Sequence, residues 1–199
     1  MRNIACLVVT LLTFSNLRGQ ETEKRGYIGV NLGTSYLLNI NESEGRWGAN
    51  VNLINAGYSF NNNIGITLKW MGAAHVISSD KEIGYGAILI GPMYSIAVND
   101  HTYLDLKFAS GLFWIVEQGK FFSSDPNDPL ISGSFKQSSM RLSLSNFATG
   151  LALRHNFAKR WTLLFLTEYN SGRNSDFSLY ISDKYLKALS ANVGIAFRL

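Results

Sequence analysis

The closing stretch "KALSANVGIAFRL", residues 187–199, alternates without a miss. Leu189, Ala191, Val193, Ile195, Phe197 and Leu199 fall on one face, and Ala188, Ser190, Asn192, Gly194, Ala196 and Arg198 on the other. A period of two marks a β-strand, whose successive side chains point to opposite faces. Seven earlier stretches read the same way. Residues 27–39 set Ile28, Val30, Leu32, Tyr36 and Leu38 against Gly29, Asn31, Gly33 and Ser35. Residues 64–76 set Ile64, Ile66, Leu68, Trp70 and Val76 against Gly65, Thr67, Lys69 and His75. The same rhythm runs through 87–98, 103–116, 147–157 and 161–170. Residues 49–60 alternate with a slip of phase near Ile54–Asn55, which predicts a bulge. No segment with a helical period competes.

The links between these stretches alternate in length. Residues 61–63, 99–102 and 158–160 are short; about 40–48, 77–84, 117–140 and 171–186 are longer. Tight turns at one end and long loops at the other are what an up-and-down meander produces. The expectation is an all-β chain, an eight-stranded antiparallel up-and-down transmembrane β-barrel filling residues 20–199 as one domain. In hydrocarbon every backbone N–H and C=O needs a partner, so strand 27–39 must pair with strand 187–199 and leave no edge.

Composition decides which face meets which medium. The chain is 46% hydrophobic and only 16% charged, against about 25% charged in ordinary soluble domains. The second face is mostly Gly, Ala, Ser, Thr and Asn. A barrel standing in water would carry Lys, Glu, Arg and Asp on its outer wall. The apolar face is therefore assigned to lipid and the small-residue face to the narrow lumen of an eight-stranded barrel. Tyr27, Tyr58, Phe60, Tyr103, Phe157, Trp161 and Phe197 near the short turns, with Trp47, Tyr85 and Trp114 near the long loops, fit two aromatic girdles.

The first residues carry an address. Met1-Arg2-Asn3 followed by the apolar "IACLVVTLLTF", residues 4–14, reads as a secretory signal peptide over residues 1–19, cut after Gly19. Cys6, the single cysteine, lies inside it, so the mature chain is expected to hold no disulfide or cysteine nucleophile. The formal charge is +4, but Lys and Arg are scattered with no basic stripe, which argues against nucleic acid.

"GVNLGTSY", "ILIGPMYSIAV", "GLALRHNFAKRWTLLFLTEY" and the closing "NVGIAFRL" resemble the small eight-stranded outer-membrane barrels of the OmpA/OmpX type, including Bacteroidetes-type outer membrane protein β-barrel domains. The resemblance covers residues 27–199. It implies a bacterial outer-membrane location, both termini and the short turns in the periplasm, and the four long loops outside the cell. It also implies that Val193, Ile195, Phe197 and Leu199 form the C-terminal insertion signal read by the barrel assembly machinery, with Leu199 standing where the family ends in an aromatic.

Six charges fall on the small-residue face: Lys69, Asp105, Lys107, Arg154, Glu168 and Arg198. Buried charges must be paired or hydrogen-bonded. The plain reading is a salt-bridge network that plugs the lumen; the sharper one is a gated path for protons or ions. His75 reads as a packed histidine rather than a ligand. The stretch "TEYNSG", residues 167–172, is similar in outline to the His-x-Ser-Asn stretch of lipid A deacylases, but Glu168 and Asn170 stand where the base and nucleophile should be. A Ser–His pair within hydrogen-bond reach is the minimum for that chemistry, and none is expected here. No metal-ligand cluster, cofactor motif or phosphate-cradling loop is present in the sequence.

The loops 117–140 and 171–186 are polar, Ser-rich and punctuated by Phe121, Phe122, Phe135, Phe177 and Tyr180. Protruding strands can recruit a partner's strand. The sequence therefore points to a non-enzymatic barrel in contact with outer-membrane lipid, serving a structural or surface-interaction role, with a surface protein met through those two loops. A narrow ion or solute channel is the alternative, and a lipid A-active enzyme the third.

Overall fold

The computed structural model describes residues 26–40, 46–61, 63–78, 81–122, 132–173, 181 and 184–199. The expected signal segment 1–19 and the loop residues Phe177 and Tyr180 lie outside them. Eight strands are formed: β1 (Gly26–Leu37), β2 (Trp47–Ser59), β3 (Ile64–Ser78), β4 (Lys81–Asn99), β5 (Thr102–Phe122), β6 (Ser132–Asn156), β7 (Trp161–Arg173) and β8 (Tyr185–Arg198). Each pairs antiparallel with its neighbours in chain order, and β1 pairs with β8 from Tyr27↔Arg198 to Leu37↔Ala188, closing the barrel.

Closure comes with a definite stagger. Stepping across ladder partners from Ile28 leads through Ala56, Leu68, Ile90, Ser110, Phe147, Ser171 and Lys187. From Lys187 the ladder returns to Leu38, ten residues further along the first strand. Stagger, tilt and radius are linked in any closed sheet. A stagger of this size tilts the strands by roughly 35–45° and leaves an interior just wide enough for side chains.

Sidedness follows the alternation. Ile28, Val30 and Leu32, then Leu68 and Trp70, Ile88 and Ile90, Phe108, Leu151, Phe165, Val193 and Ile195 are all exposed on the outer wall. Asn31, Ser35, Thr67, Lys69, Ser95, Asp105, Ala152, Thr162 and Asn170 are buried inside. Large apolar side chains exposed on every face would be an aggregation hazard in water; facing hydrocarbon they carry no such penalty.

The structure corrects several sequence expectations. Of the loop placed at 77–84, residues 77–78 and 81–84 are strand, with Ser78 paired to Lys81. Most of 117–140 is strand too: β5 and β6 pair out to Phe122↔Ser132. Alternation is a weak guide there because the hairpin no longer separates lipid from lumen. The bulge falls at Leu53, between Asn52 and Ile54, a residue or so before the predicted slip. A larger irregularity was not foreseen. Ser110 pairs with Phe147 and Gly111 with Ser143, so Leu144, Ser145 and Asn146 have no partner residue on β5. Asn146 stitches the gap: its Nδ2 donates to the Arg141 carbonyl at 2.7 Å, and its Oδ1 accepts the Arg173 N–H at 2.8 Å. Gly111 beside it takes φ 156°, and a Cβ there would come within 2.6 Å of the Ile88 carbonyl oxygen.

Three of the predicted girdle aromatics point inward. Tyr27 and Tyr85 are each 2% exposed within the barrel, and Tyr103 turns its ring to the Arg154 guanidinium, 4.8 Å away. Each stands on the inward parity of its strand, so strand phase overrode the general preference of tyrosine for interfaces. Trp47, Tyr58, Phe60, Phe157 and Trp161 do face outward.

Two substitutions one residue apart test the sidedness. Leu151→Arg places a charge on the lipid wall and should cost roughly 2–4 kcal/mol. Ala152→Leu overfills the lumen and should cost about 1–3 kcal/mol by overpacking. Urea unfolding of the barrel refolded in phospholipid vesicles measures both, and a lossless Leu151→Arg would reverse the assignment of faces.

Candidate functional site: the lumen

The lumen has a polar middle tier between two apolar closures, and the sequence anticipated only the first. Toward the long-loop end it is filled by apolar side chains. Leu37, Ile40, Ile77, Ile83, Leu89, Phe113, Ile115, Ile181 and Leu186 form a continuous buried core with Met71 and Tyr85. Small residues make room for these rings: a Cβ on Gly172 would lie 2.1 Å from the Phe113 ring, and one on Gly48 would lie 2.5 Å from His75 Nδ1. Leu89, Phe113 and Ile115 sit at inward positions among Ala87, Gly91, Ala109 and Gly111, and reading only those small residues as the character of the face hid them. Near the short turns a second cluster of Tyr27, Met93, Leu164 and Ala196 is buried.

Between these closures lie the charges. Lys69 Nζ is 3.0 Å from Glu168 Oε2 and donates to Asn170 Oδ1 at 2.9 Å. Asn170 Nδ2 in turn donates to Ser190 Oγ at 3.3 Å. Arg154 meets Asp105 through two nitrogens, Nε to Oδ2 at 2.6 Å and Nη2 to Oδ1 at 3.0 Å, the two-point geometry that suits a planar guanidinium. Ser95 Oγ adds a third bond to Asp105 at 2.7 Å. Tyr27 lies between the cations, its ring 4.9 Å from the Arg154 guanidinium carbon and 5.2 Å from Lys107 Nζ.

Lys107 differs from the other two cations. Its ammonium donates to Asn55 Oδ1 at 2.9 Å, and no carboxylate stands within 4.0 Å of it among the described residues. Arg198, the sixth predicted charge, is only part-buried, on the final rung opposite Tyr27 at the short-turn rim. The structure thus brings Lys69 to Glu168 and Asp105 to Arg154 as two separate pairs, and gives Lys107 to the amides.

A third group was missed. Ser35 Oγ is 2.6 Å from His75 Nε2, while His75 Nδ1 is 3.1 Å from the Arg46 carbonyl oxygen. That carbonyl requires the proton on Nδ1, which leaves Nε2 to accept from the serine. Tyr85 OH donates to Ser35 Oγ at 3.2 Å and its ring stacks on His75. A Ser–His pair therefore exists, contrary to the sequence expectation, because tilt brings β1 and β3 residues 40 positions apart to one level. Ser35 and His75 are 0% and 1% exposed. Under that packing the pair ties β1 and β3 to the segment at Arg46. Glu168 of the "TEYNSG" stretch is committed to Lys69, and His155 faces Thr102 Oγ1 on the outer wall. Among the described residues no group of three or more His, Cys, Asp or Glu is placed to hold a metal ion.

No family model matches the chain, and no curated protein matches it either. Solved structures do. Neisserial surface protein A superposes with a TM-score of 0.57 at 10% identity, over 87% of this chain and 97% of that one. Ail, the attachment invasion locus protein of Yersinia pestis, gives 0.53 at 16% identity, over 88% and 99%. Ail has also been solved with the heparin analogue sucrose octasulfate, and that structure matches at 18% identity with a TM-score of 0.53 over the same shares. A major outer membrane protein from Thermus thermophilus gives 0.53 at 9% identity, over 87% and 99%. The chain has the fold of the small eight-stranded outer-membrane β-barrels.

The buried pair of Lys69 and Glu168 generates a double-mutant cycle. Glu168→Gln or Lys69→Met alone leaves one charge uncompensated and should cost about 3–5 kcal/mol. Combining the two should restore most of that loss. Urea unfolding in vesicles reads all four proteins, and additive losses would mean that the pair is not coupled.

Proposed function

We propose that the protein is a non-enzymatic outer-membrane barrel that works through its outer surface, with its short turns and termini in the periplasm and the long-loop end outside the cell. One observation carries the reading: the lumen is closed at the long-loop end by a packed core that reaches Ile115 and Ile83, the partner of Glu117, while the β5–β6 ladder continues from Gln118 to Phe122 beyond it. That is about 15 Å of strand at ordinary rise. A barrel shut in this way offers a solute no open path, so the projecting hairpin and neighbouring long loops are the surface left for recognition. A surface protein pairing with a projecting strand is the partner class that fits. The similarity in fold to a protein named for attachment and invasion, and to one named as a surface protein, is in keeping with this role.

A narrow channel is the competing reading, and the charges in the middle tier are what favour it. The two separate by experiment. Replacing residues 117–140 with a two-residue turn should leave a folded barrel and abolish attachment of cells displaying it to host-cell surfaces. Unchanged attachment by that variant would sink the surface role. The intact barrel in planar bilayers should give no discrete openings, whereas reproducible unitary currents would move the assignment to the channel.

A further inference from the structure

The β8–β1–β2 side of the lumen carries a set of asparagines that the charge pairs do not use. Asn31 on β1 is the ladder partner of Asn52 on β2, and Gly33 is the partner of both Asn50 and Asn192. All four amides are at least nine-tenths buried. Two of the amides lie directly over glycines of the wall: a Cβ on Gly33 would lie 2.7 Å from Asn192 Oδ1, and one on Gly194 would lie 2.6 Å from Asn31 Nδ2. Nonetheless the amides do not bond to one another. The Nδ2 atoms of Asn31, Asn50, Asn52 and Asn192, and the Oδ1 atoms of the last three, have no hydrogen-bond partner. Buried polar atoms left unmatched cost about 1–3 kcal/mol each, so seven together call for partners that the protein itself does not supply.

The direction of the hydrogen bonds says what. Lys107 Nζ donates to Asn55 Oδ1 at 2.9 Å, and Asn55 Nδ2 donates to Asn31 Oδ1, also at 2.9 Å. A chain that starts at a cation and passes through two amides ends in a donor, the Asn31 N–H, polarised by the charge behind it. The inventory leans the same way. Four free amide nitrogens carry eight N–H bonds against six lone pairs on three free oxygens, and the Lys107 ammonium adds further N–H. Charge agrees: of the three luminal cations in this tier, Lys69 and Arg154 are answered by Glu168 and Asp105, and Lys107 is not.

We propose that this amide cluster binds one small monovalent anion of the halide class. The amide N–H groups of Asn31, Asn52 and Asn192 hold it, Lys107 balances its charge through the Asn55 amide, and water occupies the remaining carbonyl oxygens. The anion answers the one cation of this tier that has no carboxylate. The single uncompensated charge sets its valence, and the narrow interior of an eight-stranded barrel sets its size. The inference is independent of the surface role and survives if that role fails.

The test uses the full barrel refolded in detergent. Crystals grown in bromide should give one anomalous peak at the bromine edge, within hydrogen-bond distance of Asn31 Nδ2. In solution, chloride titrated against gluconate at constant ionic strength should raise the thermal midpoint saturably. Lys107→Met should abolish that response. Should that variant fail to fold, Asn52→Ala keeps the charge and removes one charge-assisted hydrogen bond. It should raise the half-saturating chloride concentration about tenfold. Water alone at the position, or a midpoint indifferent to the anion, overturns the site. A bromide peak without any response in solution means an adventitious ion only, and overturns it equally.

Discussion

A hydrocarbon solvent offers the backbone nothing to bond to, and the rest of this structure depends on that. Every amide in the spanning region must find its partner within the sheet, so the first strand has to meet the last. The Tyr27–Leu37 ladder against Ala188–Arg198 performs the closure. Once eight strands close with a stagger of ten residues, the radius is no longer free. Everything inside must then fit a cylinder about two side chains across, and the physics of the interior follows from a constraint set at its wall.

Within that cylinder two kinds of filling share the length. The half near the long loops behaves as the core of a soluble protein turned inside a barrel, with rings laid over glycines: Phe113 on Gly172, and His75 on Gly48. The half below it is polar and obeys the rule that a buried charge must be matched. Asp105 and Arg154 are matched in both charge and geometry, Lys69 and Glu168 in charge with Asn170 as support. Tyr27 belongs to both kinds of filling. Its ring receives two cations, while a Cβ on Gly57 would lie 2.5 Å from it, so that glycine gives the ring its room.

Strand number, sidedness and closure were legible in the sequence because one periodicity encodes all three. A residue such as Val193 must face lipid if Asn192 faces the lumen, and a slip by one would invert every strand. What the pattern left out was of two sorts. Residues such as Leu89, Phe113 and Ile115 are large on a face whose character is small, so a reading by majority passes over them. Contacts such as Ser35 with His75, or Asn146 with Arg173, depend on which rungs the tilt brings level, and no single strand carries that information. The six luminal charges were identified by phase alone; their partners were not.

The same economy explains where variation can enter. An outward residue in the spanning region is held to apolar character by lipid, and an inward one is held to volume and charge by its neighbours. Only beyond the closed core do both constraints lapse, and there the β5–β6 ladder outgrows the barrel. The three-residue offset at Leu144–Asn146 sits lower, level with the core between Ala109 and Phe113. A bulge bends its strand and sharpens the local twist, which lets a hairpin leave the curvature of the cylinder without losing its ladder. Asn146 repairs the cost by supplying from a side chain the bonds that the missing rungs would have made. Barrel and hairpin stay joined through that stitch in one ladder, the continuity that the proposed surface role requires.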